Sequence, residues 1–355
     1  DKSNIAVSLL ISPHYFPGFM YSLYPDMRYK TEIGAGNWSS FIPDHEKTKE
    51  VLKEYIKALI PRIKDFKSLN NICLTNEPGF RPQQYGDFYV PMWIEFLKNR
   101  YHNSLEELSA AHGMQYTSWE DAKMDGVVEN GKLGDSVCTY DTLIFANEVY
   151  TSWHKFLADA IHEIAPDIPV HAKAQGYLGL HGGFPSMLTN ATNFENFSKF
   201  SDLAGCDYSI EWLGVTTGAH QVLGESLWYD YMAGIGEVPI INSEDHIHCD
   251  GEENFIPEQA LWMQTNLWQG AIHHRGFSQI WVWRRSYNPA NIYYGSPLFR
   301  PDCIKAIGKT NLDLNRLSYE VNALVTEPED IAILYSAASR QYNEDYMRSV
   351  YNAYE

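Results

Sequence analysis

Short runs of β-branched and aliphatic residues alternate along this chain with longer stretches of helical spacing. Ile5–Ile11 reads as a buried strand. From His45 to Lys67 apolar residues recur at Val51, Leu52, Tyr55, Ile56, Leu59, Ile60 and Ile63, which predicts a helix with one buried face. Asn71–Thr75 is the next strand, followed by helices over Tyr85–Tyr101, Leu105–His112 and Asp141–Ile164. Pro166 and Pro169 stop the last of these, and Val170–Ala174 resumes as strand. The rhythm then repeats through strand Ala204–Ser209 and helix Gln221–Ala233. Strand Val238–Asn242 and helix Glu258–Ala271 follow, then strand Gln279–Trp283 and helix Ile304–Leu324. Strands separated by helices imply βαβ units on a parallel sheet. Six such units fit either an open doubly wound sheet or a (β/α)8 barrel whose first two strands lie upstream.

A polar break at Val325–Asp330 divides the chain. Residues 1–327 are expected to form the barrel, incomplete at its N-terminus. Residues 328–355, with a strand at Ile331–Tyr335 and a helix over Asn343–Tyr354, are expected to open a second α/β domain. The chain is expected to be a piece of a longer protein, cut at both ends.

The net charge is −18. Such a field repels phosphate backbones and anionic lipid heads, so neither nucleic acid nor a membrane surface is an expected partner. No stretch approaches the roughly 18 apolar residues of a transmembrane helix. The five Cys are scattered, with no C-x-x-C pair, which argues against a disulfide framework or a structural zinc site. The compartment stays open between cytoplasm and periplasm. Aromatic residues make up 14% of the chain, enough either for a large core with half-buried Tyr or for a cleft paved with rings.

Active sites of (β/α)8 barrels sit at the C-terminal ends of the strands. Two strands here run into a Glu: Asn71–Thr75 continues as Asn76-Glu77-Pro78, and Val238–Asn242 as Ser243-Glu244. Cleaving a glycosidic bond takes two carboxyl groups flanking it, about 5–5.5 Å apart in the retaining form of the reaction. Strand ends facing each other across a barrel mouth can supply that pair.

Asn76-Glu77-Pro78 resembles the Asn-Glu-Pro signature of clan A glycoside hydrolases, which lies on the fourth barrel strand. The resemblance implies that Glu77 is the acid/base and that Asn76 contacts the sugar 2-hydroxyl. It also implies that Glu244, closing the seventh strand, is the nucleophile. Counting from Asn71–Thr75 as strand four makes Gln279–Trp283 strand eight without adjustment. More narrowly, the chain resembles glycoside hydrolase family 42, the β-galactosidases, and the neighbouring β-mannosidase family 164. Tyr24-Pro25-Asp26 is similar to a Tyr-Pro-Glu turn of family 42, and Gly270-Ala271 to its Gly-Ala. Trp283-Arg284-Arg285-Ser286 is similar to its Trp-Arg-Gln-Ser, Arg285 departing from the Gln. The metal-binding cysteine cluster of that family is not recognisable.

Further residues are candidates for holding a sugar. Trp283 closes strand eight, where the clan places an aromatic platform, with Trp281 alternating on the same face as core. His171, Lys173 and Gln175 share the inward face of their strand. They would either donate to sugar hydroxyls or form an internal salt-bridge network, and Lys173 would keep the carboxylates ionised. His14 follows the first strand. Asp207 and Tyr208 close another, Tyr208 being either a hydrogen-bond partner of the nucleophile or a buried ring satisfied by backbone. Arg284 is a further binding candidate, and Glu211, beside Trp212, is a rival carboxylate. His246, His248, Cys249 and Asp250 fit no standard zinc spacing and read as loop residues at the cleft mouth.

The function implied is a retaining, exo-acting β-glycosidase of β-galactosidase or β-mannosidase type that hydrolyses terminal β-linked hexosides. Its alternatives are an endo-acting glycanase of the same clan and a non-catalytic carbohydrate-binding barrel. No cofactor and no metal is required, and the resemblance implies a homo-oligomer, a trimer.

Overall fold

The computed structural model describes the chain except residues 1, 4, 15, 29–38, 40, 127, 130–131, 176–189, 209–217, 248–257, 284–296, 329 and 344. Six parallel strands form one sheet: β1 (Val7–Leu10), β2 (Leu69–Asn76), β5 (Val170–Gln175), β6 (Ala204–Asp207), β7 (Ile240–Asp245) and β8 (Arg275–Ile280). A small antiparallel hairpin, β3 (Val128–Glu129) with β4 (Lys132–Leu133), interrupts the series. Each sheet strand neighbours the next one in the chain, and the order never reverses. A doubly wound sheet needs a reversal at its switch point, so the doubly wound alternative falls. The sheet is six strands of an α/β, (β/α)8 TIM-type barrel.

Helices cover its outer face. Glu46–Ile63 and Val137–His162 follow β1 and β2, Gly218–Ile235 follows β6, Gln259–Ile272 follows β7, and Pro301–Arg316 follows β8. The core between sheet and helices mixes aliphatic side chains with many aromatic rings. Phe80 stacks on Tyr150 with ring centroids 5.0 Å apart, and Tyr150 on Trp153 at 5.6 Å. Inside the barrel, Gly205 leaves room for the His171 ring, and a Cβ there would lie 2.5 Å from the Ala172 carbonyl.

Several boundaries differ from those expected. The strand into Glu244 starts two residues later than expected, after Pro239, and runs on to Asp245. The expected strand Gln279–Trp283 is β8, which ends at Ile280. Its last register pair is Asp245–Ile280, and the Trp281 N–H still donates to the Asp245 carbonyl at 2.9 Å where β7 ends. The single helix expected over Ile304–Leu324 is two, Pro301–Arg316 and Ser318–Val325, jointed at Leu317. Ile331–Tyr335 forms no strand: Ile331 and Leu334 stand exposed, because a β-prone run without a neighbouring ladder has nothing to pair with. Helix Tyr346–Tyr354 packs instead on the main core through Met347, Val350 and Tyr351, and the Tyr354 hydroxyl donates to Asp230 at 2.5 Å. No helix among the described residues is long and apolar enough to cross a membrane.

Below the barrel mouth a buried polar cluster ties β7 and β8 to the helices outside them. Arg275 Nη1 donates to Glu225 (3.0 Å), Asp245 (2.8 Å), the Asn266 side chain (3.2 Å) and the Tyr229 hydroxyl (3.2 Å). Burial pushes the Glu225 carboxyl up to about 8, Arg275 opposing and Asp245 adding to the rise. One guanidinium therefore serves two buried acids. Arg275→Ala is expected to lower the unfolding free energy by about 3–5 kcal/mol, the cost of stranding buried charge. Urea denaturation measures this, and a loss under about 1 kcal/mol would contradict the role given to the cluster.

Candidate active site

The polar centre is built by irregularities at two strand ends. The register of β2 on β5 shifts between Cys73 and Asn76. Such a bulge re-aims side chains: Thr75 turns outward to His154 at 2.9 Å, while Asn76 pairs in register with Lys173. Glu77 follows with φ of 44°, in the left-handed region, and its N–H donates to the Lys173 carbonyl at 2.8 Å. β7 shifts in the same way on β8, between Asn242 and Asp245. Asn242 turns to the Tyr229 hydroxyl (2.9 Å), Asp245 to Arg275, and Glu244 to the ammonium of Lys173.

Lys173 is the hub. Its backbone holds Glu77 and its Nζ forms an ion pair with Glu244, both side chains being buried. Burial lowers the Lys173 ammonium below its ordinary value, against the pull of Asp207, Cys73 and Glu77. Gln175 Nε2 donates to Glu77 Oε2 at 2.8 Å, and Asn76 Nδ2 to Glu77 Oε1 at 3.3 Å. His246 Nε2 lies 3.4 Å from Glu244 Oε1, and the Glu244 N–H donates to Asn242 Oδ1 at 3.3 Å. Burial holds His14 down at about 4, Lys173 assisting and Glu77 opposing, so its imidazole faces the carboxylates uncharged at neutral pH.

The structure thus brings Glu77, Glu244, Asn76, Lys173, Gln175 and His14 together. His171 shares their strand face one pleat deeper. It is fully buried, burial and Lys173 lower it to about 3, and neither ring nitrogen has a partner among the described residues. It lines the barrel interior beneath the site. Tyr208 takes the second of its two readings, a buried ring. Its backbone pairs with Asn242 and its ring stacks on Trp228, and a Cβ on Gly224 would meet its hydroxyl at 2.9 Å. Strand alternation sends Asp207 inward and the next residue outward. Tyr208 therefore packs against the helix Gly218–Ile235 and not against Glu244. Trp281 and Trp283 lie past the end of β8, not on a strand face. Trp281 is partly exposed and faces the His246 ring at 6.1 Å, so it belongs to the site's wall rather than the core. Trp283 is 48% exposed. Arg284, Glu211, Trp212, His248, Cys249 and Asp250 lie outside the described residues.

Sequence reasoning passed over Asp207 and gave His246 only a loop role. The signal for Asp207 was its place two residues after Gly205, on the same inward face. Asp207, Glu244 and His246 bring three donor atoms within 4.8 Å of one another. The Lys173 ammonium already occupies Glu244, so side chains meet the charge there and we assign the cluster no metal.

A sequentially ordered parallel sheet with its polar centre at the carboxyl ends of its strands defines a (β/α)8-type barrel. The family model of glycoside hydrolase family 42, described as β-galactosidase, matches residues 1–201. The chain belongs to that family. A β-galactosidase of Clostridium perfringens is 23% identical over 293 residues, 79% of this chain and 40% of that protein. A family 42 exo-carrageenase from Bacteroides ovatus superposes with a TM-score of 0.79 at 18% identity, covering 99% of this chain and 50% of that one. A Bacillus circulans β-galactosidase does so with a TM-score of 0.73 at 17% identity, covering 99% and 54%. At these identities the structural likeness speaks for the fold. The chain spans about half the length of the relatives it matches.

Lys173→Met tests the hub. Lys173 holds the carboxyl of Asp207 down against burial, so its loss sends that group further above its unfolded value. A carboxyl raised on folding contributes stability at low pH that is lost as pH climbs through its folded value. The variant is therefore expected to melt close to the parent at pH 5 and well below it at pH 8. An equal deficit at both values would mean that Lys173 contributes packing rather than charge.

Proposed function

We propose that this chain is the catalytic barrel of a retaining, exo-acting β-glycosidase that hydrolyses terminal β-linked hexosides. The observation that carries the reading is the pair of glutamates at the bulged ends of β2 and β7, both anchored on Lys173. In the first step a Glu244 oxygen attacks the anomeric carbon as the glycosidic C–O bond breaks. Glu77 passes its proton to the departing oxygen. The ion pair with Lys173 keeps Glu244 charged for that attack. In the second step Glu77 takes a proton from water. The hydroxide character this creates displaces Glu244, and the β-configuration returns.

Asn76, held beside Glu77, is suited to the sugar 2-hydroxyl, and Gln175 and His14 to its neighbours. The half-exposed ring of Trp283 offers a platform for the apolar face of the sugar. The β-galactosidases among the matched relatives favour a β-galactoside over a β-mannoside as first substrate. An exo mode agrees with the exo-carrageenase among them. Neither step calls for a cofactor.

The reading is tested by incubating the protein with 2-deoxy-2-fluoro β-galactoside and β-mannoside carrying activated leaving groups, then mapping peptides by mass spectrometry. A stable glycosyl adduct on Glu244 is expected, forming faster with the galactoside. An adduct on Glu211 would reassign the nucleophile. No adduct from either sugar, on folded protein, would sink the exo-glycosidase reading.

A further inference from the structure

The carboxylate assigned as nucleophile meets a different group on each of its oxygens. The Lys173 ammonium pairs with Glu244 Oε2, and His246 Nε2 lies 3.4 Å from Glu244 Oε1. The same ring nitrogen is 3.8 Å from Asp207 Oδ1. Two acids thus face one imidazole nitrogen, and Glu244 is the nearer. The end of β7 puts the ring there. Asp245 turns outward to Arg275, so the next side chain turns back into the barrel. The imidazole is buried, with the Trp281 ring against it at 6.1 Å between centroids. The Trp281 N–H donates to the Asp245 carbonyl at 2.9 Å, which ties that wall to the strand carrying Glu244. Among the described residues, the charged and titratable groups at this corner are Lys173 on β5, Asp207 on β6, and Glu244 and His246 at the end of β7. Glu77 and His14 interact with the same ammonium.

The last torsion of a glutamate is broad and roughly two-fold. One contact secures the charge of such a carboxylate and leaves its plane loose. Contacts to both oxygens fix the plane as well. Attack on an anomeric carbon needs that, because the reacting atoms must be held about 3–3.5 Å apart and aligned. An N–H or an imidazolium beside a carboxylate also favours its ionised form.

We propose that His246 is a positioning residue for the nucleophile: it holds Glu244 Oε1 while Lys173 holds Oε2, and so keeps the carboxylate ionised and oriented for attack. The proposal rests on the assignment of Glu244 as nucleophile. No proton changes place in this role. Once Glu244 is esterified its negative charge is gone, and Asp207 is the acid that still faces the imidazole. When water releases the sugar, the charge returns to Glu244 and the contact with His246 returns with it.

The test is the acid limb of kcat/KM with a dinitrophenyl β-galactoside, a substrate whose leaving group needs no acid. That limb reports the ionisation of the nucleophile in the free enzyme. In His246→Ala the contact to Oε1 is lost and the ionised form of Glu244 is favoured less. The limb is expected to move up by about one pH unit, so that kcat/KM falls roughly tenfold more on the acid side than on the plateau. The amide nitrogen of His246→Gln reaches the place of Nε2, and this variant is expected to bring the limb back toward the parent's. The amide of His246→Asn stops at the place of Nδ1. It is expected to behave as His246→Ala, and it carries the test if the alanine variant does not fold. An unmoved limb with a uniform loss at every pH would mean that His246 only packs against Trp281, and overturns the proposal. A limb in His246→Gln that stays with that of the alanine variant overturns it as well. The 2-deoxy-2-fluoro glycoside adduct on the parent protein separates the two assignments. No adduct on Glu244 means that the parent reading fails first. An adduct on Glu244, with the limb of His246→Ala in place, means that His246 alone has been misassigned.

Discussion

Everything at the mouth of this barrel depends on the placement of one ammonium. Lys173 is buried on β5, its carbonyl receives the N–H of Glu77, and its Nζ pairs with Glu244. An unpaired lysine in that position would be strongly disfavoured, and so would three carboxyl groups crowded there without it. Each side makes the other tolerable. The same pair fixes geometry as well as charge, because the backbone of Lys173 holds one glutamate while its side chain holds the other.

The strands supply that placement through their defects. A regular ladder would send Asn242 and Glu244 to the same face. The shift in β7 instead lets Asn242 and Asp245 brace the outer layer while Glu244 turns to Lys173. The shift in β2 separates Thr75, which anchors to His154, from Asn76 and Glu77. Both glutamates thus emerge from a backbone whose outward side chains are tied into the core next to them. That coupling gives the preorganisation a charged site needs.

Much of this was legible in the chain. The alternation of strand and helix set the parallel sheet, and Asn76-Glu77-Pro78 marked one strand end. The period of two put His171, Lys173 and Gln175 on one face. What stayed hidden had physical reasons. A bulge is one additional residue and leaves no compositional trace. Tyr208 could be read from sequence either as a partner of Glu244 or as a buried ring; it follows Asp207, and neighbours on a strand point to opposite sides. Trp281 and Trp283 looked like strand because they are β-prone, but a strand exists only as long as its neighbour does. Among the described residues Ile331–Tyr335 has no neighbouring strand to pair with. Asp207 was passed over because a lone Asp at a strand end is ordinary until Glu244 and His246 are seen beside it.

Glu244 and Asp245 are consecutive, yet each has its own cation: Lys173 inside the barrel and Arg275 outside it. The strand acts as a partition between two electrostatic compartments. The inner one can be retuned, residue by residue, for a different sugar or a different working pH while the outer one keeps the sheet and helices locked. A barrel wired in this way can change its chemistry over evolutionary time without renegotiating its fold.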